Sequence, residues 1–296
     1  MQLRTVSSAT VDRLLAGEGK KLRGKGTSLT HPGSLLKRQI PIRTFADWDE
    51  VVPGFVEVDL VGHDGGSAFG SFLCTLTMTD VCSGWTETVG VLNKAQKHVF
   101  QGLQYARERF PVPLLGLDTD NGSEFLNNHL VRYCEQEHIT FTRSRPYRKN
   151  DNCFVEEKNN SVVRRSVGYA RFESEEALLS LNALYTNLRL LGNFFLPSAK
   201  LTEKLRDGSK LYRKYDTPLA PYQRLMSSDK VPVKSKEALT VLYKSLNPAN
   251  LANAIHEQQD KLAKFAVRFQ TPCRAVRPRS FHIHPGLLPR SLSSRF

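Results

Sequence analysis

The sequence predicts an α/β fold in which a mixed five-stranded sheet is flanked by helices and followed by a helical carboxyl-terminal region. Three patterns carry this expectation. Residues 55–92 alternate apolar and polar side chains and are rich in β-branched and aromatic residues. From residue 93 the apolar spacing switches between helical stretches and two short apolar runs, the signature of strands connected through helices. Beyond residue 172 the apolar spacing is helical wherever it is regular.

The first strand is read in "FVEVDLV", where Phe55, Val56, Val58 and Leu60 surround Glu57 and Asp59. "SFLCTLTMTD" and "GWTETVGVL" follow as second and third strands, separated by turns at Gly65-Gly66 and Ser83-Gly84, so the three form an antiparallel meander. "NKAQKHVFQGLQYARERF" then places Val99, Leu103, Ala106 and Phe110 on one helical face. "PLLGLD" is a short apolar strand of the kind buried on both faces, and helical spacing resumes at Phe125, Leu130 and Tyr133. Glu124 is expected in the opening turn of that helix, where an acid suits the dipole. "ITFTR" is the fifth strand and "NDNCFVEEKNN" opens the next helix.

Residues 173–269 are expected to be all helical. "SEEALLSLNALYTNLRLL", "SKEALTVLYKSL" and "NPANLANAIHEQQDKLAKFAVRF" each begin at a Ser or Asn that can cap a helix. Residues 1–54 read as a short helix in "SATVDRLL" followed by a Gly-, Lys- and Pro-punctuated linker, and residues 270–296 as a disordered basic tail without an acid.

The 296 residues carry 42 Lys and Arg against 29 Asp and Glu, a net charge of +13, which favours an anionic partner such as nucleic acid. That charge is unevenly placed. Residues 55–172 hold thirteen basic and fourteen acidic side chains, residues 1–54 nine against five, and residues 173–296 twenty against ten. Basic flanks thus border a middle segment that keeps its acids for another use. Five cysteines without a C-x-x-C pair point to free thiols in a reducing compartment. No run of eighteen apolar residues and no signal-peptide pattern is present, so a cytoplasmic protein with no membrane partner is expected.

Three acids stand where a cation site needs them. Asp59 lies inside the first strand, where a carboxylate between Val58 and Leu60 is costly to bury without a partner. Asp120 lies just past the fourth strand, in "LLGLDTDNGSEF". Glu156 or Glu157 opens the helix after the fifth. Converging carboxylates at one end of a sheet suit Mg²⁺, which takes oxygen ligands. Asp118 is assigned a supporting role, and Glu57, Asp64 and Asp80 read as strand-edge and turn acids.

"VDLV", "TDNGSEF" and "SRPYRKNDNCFVEEKNN" together resemble the three blocks of the DDE catalytic core shared by retroviral integrases and many bacterial insertion-sequence transposases. In that family the second Asp precedes Asn-Gly, and thirty-five residues separate it from the Glu. Thirty-five residues lie between Asp120 and Glu156, which selects Glu156 over Glu157 and Asp120 over Asp118. A closer likeness, through "KLRGKGTSLTHPGSLLKRQIPIRTFADWDEVVPGF" and "LLSLNALYTNLRLLGNFFLPSAKL", is to long bacterial insertion-element transposases, in which a helix-turn-helix region precedes the linker.

The resemblance implies a ribonuclease H-like core over residues 55–172, a remnant of the helix-turn-helix region plus linker over 1–54, and a DNA-binding or assembly region over 173–269. It implies that Asp59, Asp120 and Glu156 bind two Mg²⁺ ions, with Mn²⁺ as a substitute, and support cleavage and transfer of DNA strands. It further implies a homo-oligomer acting on element ends and target DNA at the bacterial nucleoid. Arg143, Arg145, Arg148, Lys149 and Lys158 border Glu156 and are expected to contact DNA phosphates. Three features support an alternative, a truncated and inactive DNA-binding remnant: "SATVDRLL" is all that would remain of the helix-turn-helix region, Cys153 stands where many relatives carry Gly, a strained choice if that position needs positive φ, and the tail 270–296 is atypical in having no acid.

Overall fold

The computed structural model describes residue 10 and residues 40–43, 52–146 and 149–267, with only the backbone described at Lys149 and Asn150. Five strands, β1 (Phe55–Gly62), β2 (Cys74–Asp80), β3 (Thr86–Val91), β4 (Gly116–Thr119) and β5 (Thr140–Arg143), form one sheet in the order β3-β2-β1-β4-β5. β1, β2 and β3 pair antiparallel, whereas β4 runs parallel to β1 and β5 parallel to β4. A parallel neighbour requires a crossover. Helices α1 (Gln96–Glu108) and α2 (Asn128–Gln136) supply the two needed. This is the mixed five-stranded sheet flanked by helices expected from the sequence.

One face of the sheet is lined by Val56, Val58, Leu76 and Met78, and it buries Val99, Leu103 and Ala106 of α1 with Leu130 and Cys134 of α2. The acids of β1 point the other way, since successive strand residues alternate faces. That opposite face receives α3 (Cys153–Lys158), which follows a 3₁₀ turn at Lys149–Asn152 and continues into a π-helical segment, Asn159–Arg164. Cys153 is the first residue of α3, and among the described residues His138 alone, apart from glycines, has positive φ. The strain expected at Cys153 is absent.

Helix α4 (Glu175–Phe195) begins, as expected, at Ser174, whose side chain accepts from Ala177 N–H. It lies along the edge strand β3 and closes it with two asparagines. Asn182 takes the N–H of Gly90 at 2.8 Å and donates to its carbonyl at 3.2 Å. Asn193 does the same for Thr86 at 2.9 and 2.8 Å. Side-chain amides therefore replace a sixth strand and satisfy backbone groups that would otherwise template aggregation. A second core joins Leu181, Leu184 and Tyr185 of α4 to Leu73, Phe172, Ile255 and Leu262.

The all-helical expectation for residues 173–269 fails at one place. Between α4 and α5 (Pro221–Ser227) the chain forms a β-hairpin, β6 (Leu201–Asp207) and β7 (Lys210–Tyr215). Two further helices follow, α6 (Val233–Ser245) and α7 (Pro248–Ala263). Asn247 caps α7 as expected, but α6 starts at Val233 behind Pro232 instead of at a capping Ser235. Helix α2 likewise starts late, behind the cap Asn127, so Glu124 lies in the preceding turn and not on the helix. The expected amino-terminal helix-turn-helix remnant, apart from Thr10 and residues 40–43, and the tail 270–296 fall outside the described residues.

Candidate active site

The sheet register assembles the acids. Glu57 is directly beside Asp118 across β1 and β4, and Asp118 beside Thr142 across β4 and β5. Continuing one pleat along the same face brings Asp59 toward Asp120, which follows the last residue of β4. The Asn-Gly turn expected after Asp120 is present: Gly122 N–H donates to Asp120 Oδ1 at 2.9 Å, and Asn121 is buried, donating to the Ser144 carbonyl at 2.9 Å. Asp120 is thereby fixed at the carboxyl end of a central strand, the end where ligands bind in open α/β sheets.

Helix α3 is tied onto this face by two hydrogen bonds. Val155 N–H donates to Glu57 Oε2 at 2.8 Å, so a buried carboxylate meets the orphan amides of the first helical turn. One turn on, Asn159 Nδ2 donates to Asp59 Oδ2 at 2.7 Å. Glu156 lies between these two anchors and is exposed at the mouth of the site. Asn159 is also the first residue of the π-helical segment, whose wider turn is a rare feature found mostly at functional sites.

Burial and mutual repulsion leave these carboxyls hard to ionise. Asp59 is pushed up to about 7, first by burial and then by the charges of Asp120, Glu156 and Glu124. Glu57 is pushed up to about 8 by burial, with the Asp118 charge adding to it, and Asp118 to about 7 by burial. Glu124 is raised by burial and by Asp120. Its carboxyl folds back over Gly122, where an added Cβ would come within 2.6 Å of the carboxyl carbon. A fourth acid therefore faces the site that the helical spacing had placed elsewhere.

The donor set is all oxygen and suits a hard divalent cation. Asp59 and Asp120 share one field, and Glu156 joins it from α3. Among the described residues no three His, Cys, Asp or Glu side chains close around a single point, and the amide of Asn159 holds one oxygen of Asp59. The residues fit a cation by their donor chemistry.

This electrostatics has a measurable consequence in metal-free protein. A carboxyl whose folded pKa is raised binds more protons folded than unfolded, so its contribution falls as pH rises toward the folded value. Glu57, Asp59 and Asp118 act in this sense up to about pH 8. Buried His63, pushed down to about 3 by burial, acts oppositely below its ordinary value of 6.5. Melting temperature in EDTA is expected to drop between pH 6.5 and 8, and the drop should be shallower in Glu57→Gln. A flat or rising profile over that interval would refute the assignment.

The cations expected to contact DNA divide differently. Arg143 is buried, donating from Nε to the Ile40 carbonyl at 3.1 Å and from Nη1 to Asn121 Oδ1 at 3.1 Å. It holds residues 40–43 against β5, where Ile42 bridges Arg143, and its guanidinium is turned inward instead of toward DNA. Arg145 is clamped by buried Asp151 through Nε at 2.7 Å and Nη2 at 2.8 Å, yet its side chain stays 45% exposed. Lys158 pairs with Glu157 at 2.9 Å. Arg148 and the Lys149 side chain lie outside the described residues. Trp85, Asp80 and His63 are buried packing or hydrogen-bonding groups, and Cys74, Cys82, Cys134 and Cys153 are free thiols.

Residues 51–149 match the family model of the integrase core domain. The chain is 45% identical over 223 residues to the uncharacterized protein y4rM of Sinorhizobium fredii (strain NBRC 101917 / NGR234). That match covers 75% of this chain, which spans only 64% of the relative's length. Similar solved structures include the HTLV-2 integrase catalytic core domain in complex with magnesium, at 15% identity and a TM-score of 0.38, covering 50% of this chain and 92% of that one. The simian T-cell lymphotropic virus intasome in complex with PP2A regulatory subunit B56 gamma matches at 14% identity and a TM-score of 0.40, covering 73% and 81%.

Proposed function

We propose that the chain is a DNA transposase that cleaves DNA strands and joins them to new sites, using Asp59, Asp120 and Glu156 to hold divalent cations, two Mg²⁺ with Mn²⁺ able to replace them. The observation that carries this reading is the convergence of Asp59 and Asp120 at the carboxyl end of the central strands, with α3 pinned over them so that Glu156 shares their field. When bound, the cations neutralise charge on the attacking and leaving oxygens of a phosphodiester. The chain's own part is positioning. Asp120 is held by the Gly122 amide, Asp59 by Leu60 N–H and Asn159, and α3 by Glu57.

Arg145, Arg148, Lys149 and Lys158 lie close to Glu156 in sequence and would seat the phosphate backbone without reading sequence. The protein would work as a homo-oligomer on its element's ends and target DNA, in the cytoplasm at the nucleoid. Among the described residues no helix is long and apolar enough to cross a membrane.

The test is strand chemistry in purified protein. A plasmid carrying the flanking genomic DNA is expected to be nicked, and its 3′ ends joined to target DNA, only with Mg²⁺ or Mn²⁺ present. EDTA should stop both reactions, and calorimetry should show Mn²⁺ binding. Protein that binds DNA yet shows neither bound Mn²⁺ nor strand chemistry would be the inactive remnant, and this reading would fall.

A further inference from the structure

The hairpin β6–β7 stands outside both cores, and every residue of its two strands is exposed. A lone two-stranded hairpin is marginal in water. Its stem is nevertheless firmly built. Asp216 accepts from Lys200 N–H at 2.6 Å and from Arg224 Nη1 at 2.6 Å, and Arg224 Nη2 also donates to the Ser198 carbonyl at 2.8 Å. Lys200 Nζ reaches the carbonyls of Val81 and Cys82 in the turn between β2 and β3. Gly208, at φ 57°, closes the tip. The stem is fixed to the sheet while every residue of the two strands is exposed.

The register sorts the blade into two unlike faces. Leu201 opposes Tyr215, Lys204 opposes Arg213 and Arg206 opposes Leu211, and a bulge between Leu201 and Glu203 keeps these six on one side. That side has three cations and no acid. The other side pairs Glu203 with Lys214, Leu205 with Tyr212 and Asp207 with Lys210, so its charges cancel. Among the described residues Lys204, Arg206 and Arg213 make no ion pair. A solvated hairpin has no reason to segregate charge this way.

We propose that β6–β7 is a DNA-binding arm whose Lys204, Arg206 and Arg213 face lies against the phosphates of a duplex. The inference rests on DNA being the substrate. Charge complementarity selects the occupant, and a two-stranded ribbon has the width that the major groove admits. The arm contacts DNA away from the carboxylates and adds affinity without taking part in the chemistry.

Matched double variants of the full chain test this, read by fluorescence anisotropy with a labelled duplex across a salt series. Lys204→Ala with Arg213→Ala removes an opposed pair from the cationic face, and Lys210→Ala with Lys214→Ala removes two cations from the neutral face. The first is expected to weaken binding about tenfold at low salt and to lower the slope of log affinity against log salt by about 1.8, at roughly 0.9 per lost phosphate contact. The second should change affinity less than about twofold. Melting temperatures of both should match wild type, since the side chains are exposed. Equal losses from the two pairs, or no loss from either, would overturn the arm. So would a first variant that keeps its DNA affinity but loses self-association in sedimentation, which would assign the face to a second copy of the chain. Wild-type protein that binds no duplex would overturn the functional reading together with the arm.

Discussion

Asp120→Asn is expected to lower metal-dependent strand cleavage by about a thousandfold or more, roughly 4 kcal/mol of transition-state stabilisation, while DNA affinity stays within about twofold. The substitution is close to isosteric. The Asn carbonyl can still accept from Gly122 N–H as Asp120 Oδ1 does, so the turn at the end of β4 survives. What disappears is a negative charge next to Asp59, and that charge is the largest electrostatic contribution opposing ionisation of Asp59. Asp120→Asn protein in EDTA should therefore melt at or above the wild-type temperature, because a repulsion has been removed from a site whose strain serves function. Loss of activity combined with retained or improved stability is a pattern that misfolding cannot produce. Metal-dependent cleavage that persists in this variant would remove Asp120 from the site and with it the proposed assignment of the three acids.

Much of the fold could be read because burial on one face leaves a period in the sequence. Val56, Val58 and Leu60 alternate with Glu57 and Asp59, and the strand of that pattern is β1. Asp120 was legible for a different reason, the turn chemistry of Asn121-Gly122 and the count to Glu156. The hairpin was not legible because both of its faces meet solvent, so Leu205, Leu211 and Tyr212 fall among charges without an alternation that hydrophobic burial imposes. Only Asp207-Gly208 signalled a turn. Glu57 was misjudged as a strand-edge acid, and the burial of Asp118, read as a supporting acid, was not foreseen, because the donors that make their burial tolerable are remote. Val155 N–H reaches Glu57 from 98 residues away, and Thr142 Oγ1 reaches Asp118 from 24. Arg143 failed in the same manner: a cation in a basic loop reads as a phosphate contact until Asn121 and the Ile40 carbonyl are seen around it.

Trp85→Ala is expected to cost about 3–5 kcal/mol of stability, the range for removing a large buried aromatic, and to lower the melting temperature by about 10 °C. Trp85 is fully buried at the start of β3, where the sheet meets α4, and its ring stands edge-on to Phe194 at 5.4 Å between centroids. Its Nε1–H donates to Glu87 Oε1 at 2.8 Å. Glu87 is itself buried and is held by Arg189 at 2.6 Å and by Arg109 at 3.4 Å, and the Arg189 guanidinium lies 5.6 Å from the indole centroid. The ring thus fills the joint and also supplies one of the donors that keep a buried carboxylate acceptable. Trp85→Phe separates the two contributions, since it keeps most of the packing and loses the N–H. A loss of about 1–3 kcal/mol is expected from that change, the cost of losing one of the hydrogen bonds to a charged group. Urea unfolding of the three proteins measures both steps. If Trp85→Ala falls within 1 kcal/mol of wild type, α4 is not anchored to the sheet through this joint. The asparagine closure of β3 by Asn182 and Asn193 and the second core around Leu181, Leu184 and Tyr185 would then hold the helix.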